Sequence, residues 1–194
     1  MLNMTSYEEH PFARFVRILG KGKNGSRSLT EEEAFESMSM ILNGEVEPHQ
    51  LGAYLMLLRV KEESPEEVAG FVNATRHWIR IPDDAPVVDL DWSSYAGKRR
   101  HLPWFILSTL LLAENDVTVF MHGASGHTNG RIYTKDVLSA LGIAPCTSLE
   151  EACQRMKAER FAYLDLQHLC PKMHQIIELR PLLGLRSPVH TIAA

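Results

Sequence analysis

A run of four basic residues, Lys98-Arg99-Arg100-His101, follows directly on Ser93-Ser94-Tyr95-Ala96-Gly97. Side-chain cations at that density suit phosphate, which lysine meets as a point charge and arginine as a planar fork. Tyr95 and Trp92 stand beside them and could stack on bases. A second basic group, Lys21, Lys23 and Arg27, lies among Gly20, Gly22 and Gly25. Its spacing imitates a dinucleotide loop, but it follows a helical pattern rather than a strand, so that chemistry fails its context. Here a second phosphate contact and a solvated turn both stay open. His122, His127 and Arg131 form a third group, and two imidazoles without a convergent third ligand do not make a metal site. Arg180 and Arg186 flank Leu182-Leu183-Gly184, where an arginine either caps helix carbonyls or meets a ligand. Cys153 has no histidine beside it in sequence, and no catalytic residue is assigned.

Two kinds of framework must position these groups. Residues 29–76 read as three short helices. Thr30 with Glu33 spells a capping box, and Gly44 stands where a left-handed C-terminal cap belongs. Pro48 restarts the chain into a helix through Leu51, Leu55 and Leu58, and Ser64-Pro65-Glu66-Glu67 spells a third start. Before them, Tyr7 to Leu19 reads as an amphipathic helix. Pro82 and Pro86 then bracket a linker, and the pattern changes. Val87–Leu90, Val117–Met121 and Phe161–Leu166 are β-prone, with helical segments at Trp104–Ala113, at Lys135–Leu141 and after Ser148. Trp78 and Trp104 read as packing residues. Alternating strands and helices imply parallel βαβ units. The predicted fold is therefore an all-helical domain over residues 1–80, followed by an α/β domain with a parallel sheet over 86–194. Three strands and a terminal Ser187–Thr191 segment make a small sheet with an open edge. Either a longer protein or another chain would cover it.

Composition sets outer limits. The chain has 194 residues, 45% hydrophobic and 23% charged, with a net charge of -4. These are globular values, and the overall charge does not mark a nucleic-acid binder, although it can hide local basic clusters. No apolar run reaches the roughly 18 residues of a membrane span, and Glu8 and Glu9 replace the apolar core that a signal peptide would need. Cys146, Cys153 and Cys170 are odd in number and lack a CxxC spacing. Free thiols in a reducing compartment, the cytoplasm, are expected.

The segments Leu29–Ala34, Leu42–Val46, Leu55–Lys61 and Ser64–Phe71 resemble the N-terminal helical domain of the anthranilate phosphoribosyltransferase (TrpD) family, a domain shared with pyrimidine nucleoside phosphorylases. The resemblance implies an α/β domain behind it, longer than what remains here, and a homodimer formed through the helices. Tyr54, Met56 and Leu57 are the apolar residues expected to be left for that contact. In the family, a strand ending in Asp runs into a GTGGD loop whose backbone N–H groups cradle phosphoribosyl pyrophosphate. Aligned from Asp89, the glycines are replaced here by Trp92, Ser94 and Tyr95, whose side chains are expected to fill the donor's space. The family's Asn-x-Ser-Thr aligns to Leu102-Pro103-Trp104-Phe105, and its Lys-His-Gly-Asn is half kept as Met121-His122-Gly123-Ala124. The arginine that contacts anthranilate aligns with Arg180. Asp89, His122, Gly123 and Arg180 are thus the substrate-site equivalents. The acidic pair that holds magnesium lies beyond the end of this chain.

This mixture is similar to the YbiB-like branch, whose members keep the fold, carry a basic serine-tyrosine loop and bind nucleic acid as dimers. The implied function is a non-catalytic, nucleic-acid-binding homodimer without a cofactor. Its phosphate contacts would be Lys98, Arg99, Arg100, Lys21, Lys23 and Arg27, with Tyr95 stacking. The alternative is a glycosyl or phosphoribosyl transferase of the anthranilate type with an altered donor site, the one case that calls for magnesium. A third reading is a purely structural partner that dimerises through its helices.

Overall fold

Thr30 accepts the Glu33 N–H while the Glu33 carboxylate accepts the Thr30 N–H, and this reciprocal cap opens α2, Glu31–Asn43. The helix stops at Gly44, whose φ of 76° is the left-handed cap that glycine adopts without strain. The computed structural model describes residues 8–94, 99 and 101–193. The chain divides into two units, Met1–Trp78 and Ile79–Ala194.

The first unit is helical: α1 (Ala13–Gly20), α2, α3 (Pro48–Lys61) and α4 (Pro65–Trp78). The first helix is shorter than the sequence pattern suggests. Ala13 N–H donates to the His10 carbonyl in a turn that precedes it, and Tyr7 lies outside the described residues. In α4, Ser64 and Glu67 form the expected cap, and Glu67 goes further. Its fully buried carboxylate accepts the Leu29 N–H at 2.8 Å, the Ser64 N–H at 2.8 Å and the Lys61 ammonium at 2.7 Å. One buried anion thus ties together the start of α2, the end of α3 and the start of α4. Gly70 lets α4 close on α2, since a Cβ there would sit 2.7 Å from Ala34 Cβ and 2.9 Å from the Phe35 nitrogen. Tyr54 is not left for a partner chain. It is wholly buried, hydrogen-bonded to Ser37 at 2.6 Å and packed edge-on against Phe12. The phenol finds its polar partner inside the bundle, as a buried tyrosine must. Met56 and Leu57 are half-buried, and Val60 is exposed.

The second unit is a three-stranded parallel sheet in the order β1-β2-β3, with β1 at Leu90–Ser93, β2 at Val119–Gly123 and β3 at Phe161–Asp165. Alternate residues of each strand face opposite helical layers. On one face Trp92, Met121 and Tyr163 meet Ile106 of α5 (Phe105–Glu114) and Leu138 of α6 (Thr134–Ala140). On the other, Phe120, Ala162 and Leu164 meet Cys153 and Met156 of α7 (Leu149–Glu159). Burial on both faces explains why all five residues of β3 are buried. Beyond β3 the chain adds α8 (Leu166–Leu169), α9 (Pro171–Glu178), α10 (Arg180–Leu183) and α11 (Val189–Ile192).

Three expectations are corrected. The first strand starts at Leu90 rather than Val87, because the Thr118 N–H is taken by the Asp89 carboxylate at 2.8 Å and Val87 stays 86% exposed. The segment Ser187–Thr191 is not a strand. The His190 N–H turns back to the Ser187 carbonyl within α11. The outer edge of β3 is partly covered instead by a parallel bridge from Cys146. Trp104 does not pack, being 64% exposed with Leu107 and Leu111 beside it on α5.

Candidate functional site

Ligands of open parallel sheets bind beyond the carboxyl ends of the strands, where loops and backbone dipoles converge. In this unit those ends carry Ser94, the Ala124–Tyr133 loop and Asp165. Ser94 continues the strand pairing one step past β1: its N–H donates to the His122 carbonyl at 2.6 Å, and its hydroxyl hydrogen-bonds to Thr134. Its carbonyl group occupies the space beside Gly123, where a Cβ would lie 2.6 Å from the Ser94 carbonyl carbon. Gly123 is therefore required by the close approach of two strands.

The loop after β2 forms the wall of a cleft of about 740 Å³, closed on its far side by α9 and the start of α10. Gly126 and Gly130, at φ 80° and 73°, turn this loop back on itself. Arg180 donates to Thr128 Oγ1 at 2.8 Å, and the Tyr133 hydroxyl accepts the Thr128 N–H at 2.9 Å. His127 lies edge-on to the Tyr133 and His190 rings, at centroid distances of 5.1 and 6.4 Å. Burial, then His190 and the Arg186, Arg131 and Arg180 cations, push the His127 imidazole down to about 4. Three arginine cations therefore act on the ring, behind burial as the larger cause. Asp165 is turned away into its own contacts, accepting from the Ser125 hydroxyl at 2.5 Å and from the Gln167 N–H at 3.2 Å.

The structure separates the residues that the sequence singled out. Asp89 precedes β1 and serves the amino-terminal side of the sheet, so it stands across the strand from the ligand end. His122 points to Asp91, with Nε2 at 3.1 Å from Oδ1, and takes no part in the cleft. Trp92 stacks on Phe105 at 5.4 Å within the core, so its indole neither fills a donor site nor offers a face to bases. Arg27 is paired with Glu33 through two hydrogen bonds of 2.6 and 2.7 Å, with its side chain half-exposed. Lys21 and Lys23 are exposed in the first unit, and Arg99 is exposed in the second. Tyr95, Lys98 and Arg100 lie outside the described residues. Of the described sequence candidates, Arg180 and His127 line the cleft.

Sequence reasoning missed His190, His174 and Lys135 as neighbours of that cleft. The Ser187-Pro188 pair, a good helix start, was the available signal that His190 belongs to a short helix rather than a strand. Among the described residues no group of three or more His, Cys, Asp or Glu side chains could hold a metal ion. Cys146, Cys153 and Cys170 are free and buried, and burial raises the pKa of each thiol. No helix among the described residues is long and apolar enough to cross a membrane.

Residues 16–78 match the helical bundle domain of the glycosyl transferase family. The uncharacterized protein YbiB of Escherichia coli is 28% identical over 94% of this chain and 57% of its own length. Anthranilate phosphoribosyltransferase of Gluconobacter oxydans is 32% identical over 90% of this chain and 48% of its own. The crystal structure of anthranilate phosphoribosyltransferase from Thermus thermophilus superposes with a TM-score of 0.74 at 24% identity, covering 95% of this chain and 54% of that one. The chain is thus similar to TrpD-like proteins over nearly all of its length. It spans about half the length of the relatives it matches. The helical unit and the parallel α/β unit share the fold of that structure.

Proposed function

We propose that this chain is a phosphoribosyltransferase-type protein with an altered donor site, which meets phosphate with side-chain cations rather than with a loop backbone. The observation that carries this reading is Ser94. At the position where the family's glycine loop offers N–H groups, the Ser94 N–H is spent on His122, its hydroxyl on Thr134, and its carbonyl fills the space beside Gly123. Lys98, Arg99 and Arg100 follow at once in the chain. Calorimetry with phosphoribosyl pyrophosphate, with and without magnesium, tests it. Weak, salt-dependent binding that Arg99→Ala weakens is expected. Tight magnesium-dependent binding with turnover of anthranilate, or no binding at all, overturns it.

A second reading is favoured by the exposure of Lys21, Lys23 and Arg99. A polyanion is better served by far-reaching cations than by a buried cradle, so nucleic acid fits them. In this reading the protein is a non-catalytic homodimer of the reducing cytoplasm, with Met56, Leu57 and Val60 of α3 in the dimer contact. Light scattering that gave a monomer mass at micromolar concentration would remove the dimer.

A further inference from the structure

We propose that the outer face of α5 is a contact surface for a second copy of this chain, packed antiparallel across a two-fold axis. The inference rests on neither reading of function. The inner side of α5 buries Ile106 and Thr109, with Phe105, Leu110 and Ala113 against the same core. Its outer side carries Trp104, Leu107, Ser108, Leu111 and Leu112, whose spacing of three and four residues sets them on one helical face. A helix that turns one side to water ordinarily puts charge there. This one has no charged residue from Leu102 to Ala113. Trp104 is 64% exposed, Leu107 51% and Leu111 65%, with Leu102 just before them at 49%. Together with Leu112 they leave on the order of 500 Å² of apolar side chain in water, a patch of the size that marks an interaction surface.

Charge at the two ends of α5 selects what covers it. Before the helix come Lys98, Arg99 and Arg100, with Arg99 exposed. At its other end Glu114 is exposed, and Asp116, approached by Arg160 at 3.9 Å, keeps 93% of its side chain in water. Positive charge ahead of the N-terminus and negative charge at the C-terminus is the reverse of what a helix dipole favours. The arrangement gives a lone α5 nothing. A second α5 laid antiparallel brings each basic end beside the other copy's acidic end and opposes the two dipoles. The surface is therefore complementary to itself, as a two-fold contact requires. Two such patches bury about 1,000 Å² in total before the charged flanks are counted, the area at which a specific interface begins.

The test uses the full chain, without nucleic acid. Sedimentation velocity should show a dimer whose dissociation constant rises at least about tenfold in Leu111→Glu, because the new carboxylate would be buried unpaired. Leu111 is exposed in the single chain, so the fold should survive, which circular dichroism checks. Glu114→Arg and Arg99→Glu should each weaken the dimer, and the two together should restore it, a recovery that loss of folding cannot imitate. Ser108 lies near the middle of the face, so Ser108→Cys should be joined to its own copy by a short bis-maleimide, while Cys146, Cys153 and Cys170 are buried from the reagent. Val60→Glu, on α3, should leave that cross-link unchanged. A dimer indifferent to Leu111→Glu, or charge reversals that do not restore each other, overturn the inference. A monomer at high micromolar concentration overturns it too and assigns the face to a different polypeptide.

Discussion

The carbonyl of Ser94 lies where a side chain on Gly123 would have to go. The two residues sit on neighbouring strand ends, and the Ser94 N–H bonds to the carbonyl just before Gly123. A methyl at 123 would meet backbone on the other strand, which cannot swing aside as a long side chain can. Gly123→Ala should therefore cost stability in the range of an overpacked core, about 1–3 kcal/mol. A lowered thermal midpoint should be read by circular dichroism. An unchanged midpoint would mean that the strand ends are further apart than described, and would weaken the argument that the β1 end is closed.

Glu67 makes a larger prediction. Its carboxylate joins three elements of the helical unit and is wholly buried, while the Lys61 side chain is 20% exposed. Glu67→Gln keeps the shape but leaves the ammonium without its anion and one backbone donor without an acceptor. Breaking such a pair from one side costs about 3–5 kcal/mol, and the partial exposure of Lys61 puts the expected loss at the lower end. Urea denaturation gives the number. A loss below about 1 kcal/mol would put the pair in the class of surface ion pairs.

These two residues also show what was legible beforehand and why. The Ser64-Pro65-Glu66-Glu67 cap could be read directly, because a capping box is written within four consecutive residues. The second role of Glu67, toward Leu29 38 positions away, could not, since nothing local encodes it. The same divide explains β1. Val87 and Val88 carry the strand propensity, but register is decided by partners distant in sequence: Thr118 before β2 engages Asp89, and Phe105 of α5 stacks on Trp92. The cleft was half visible. Arg180, His127 and Arg131 drew attention as residue types, but their company with His174 and His190 depends on a return of the chain after β3 that no periodicity announced.

The Arg27–Glu33 pair predicts a pH dependence. The hydrogen-bonded Arg27 guanidinium holds the Glu33 carboxyl down at about 2, against an ordinary value of 4.5. A folded-state value below the unfolded one contributes stability that is fully present above the unfolded value. It drains away as pH falls from about 4.5 toward 2. Glu33→Gln should thus be less stable than the parent at pH 7, with the gap narrowing through that window. Solvent screening at the half-exposed Arg27 keeps the gap small. Thermal midpoints of both proteins between pH 7 and pH 2.5 check it, and a gap that stayed constant would assign the effect to helix capping rather than to the ion pair.

The remaining prediction decides between the two functional readings. Arg99 is exposed after the β1 end, and Lys98 and Arg100 flank it in sequence. If these cations grip a polyanion together with Lys21 and Lys23, about five phosphates are neutralised. Counterion release then sets the logarithm of affinity against the logarithm of salt at a slope of roughly -4 to -5 on duplex DNA, and less steep on single strands. Replacing Arg99 and Arg100 with alanine should weaken binding to all sequences alike and flatten that slope by about two. Tyr95→Ala should act mainly on single strands, through lost stacking of about 1–3 kcal/mol per base. The controls lie elsewhere on the molecule. Arg27→Ala should leave the slope nearly unchanged, because Arg27 is already bound to Glu33. Fluorescence anisotropy with duplex DNA, single-stranded DNA and RNA across a salt series supplies every term. If the double variant binds each of them as tightly as the parent with the same slope, the nucleic-acid reading fails.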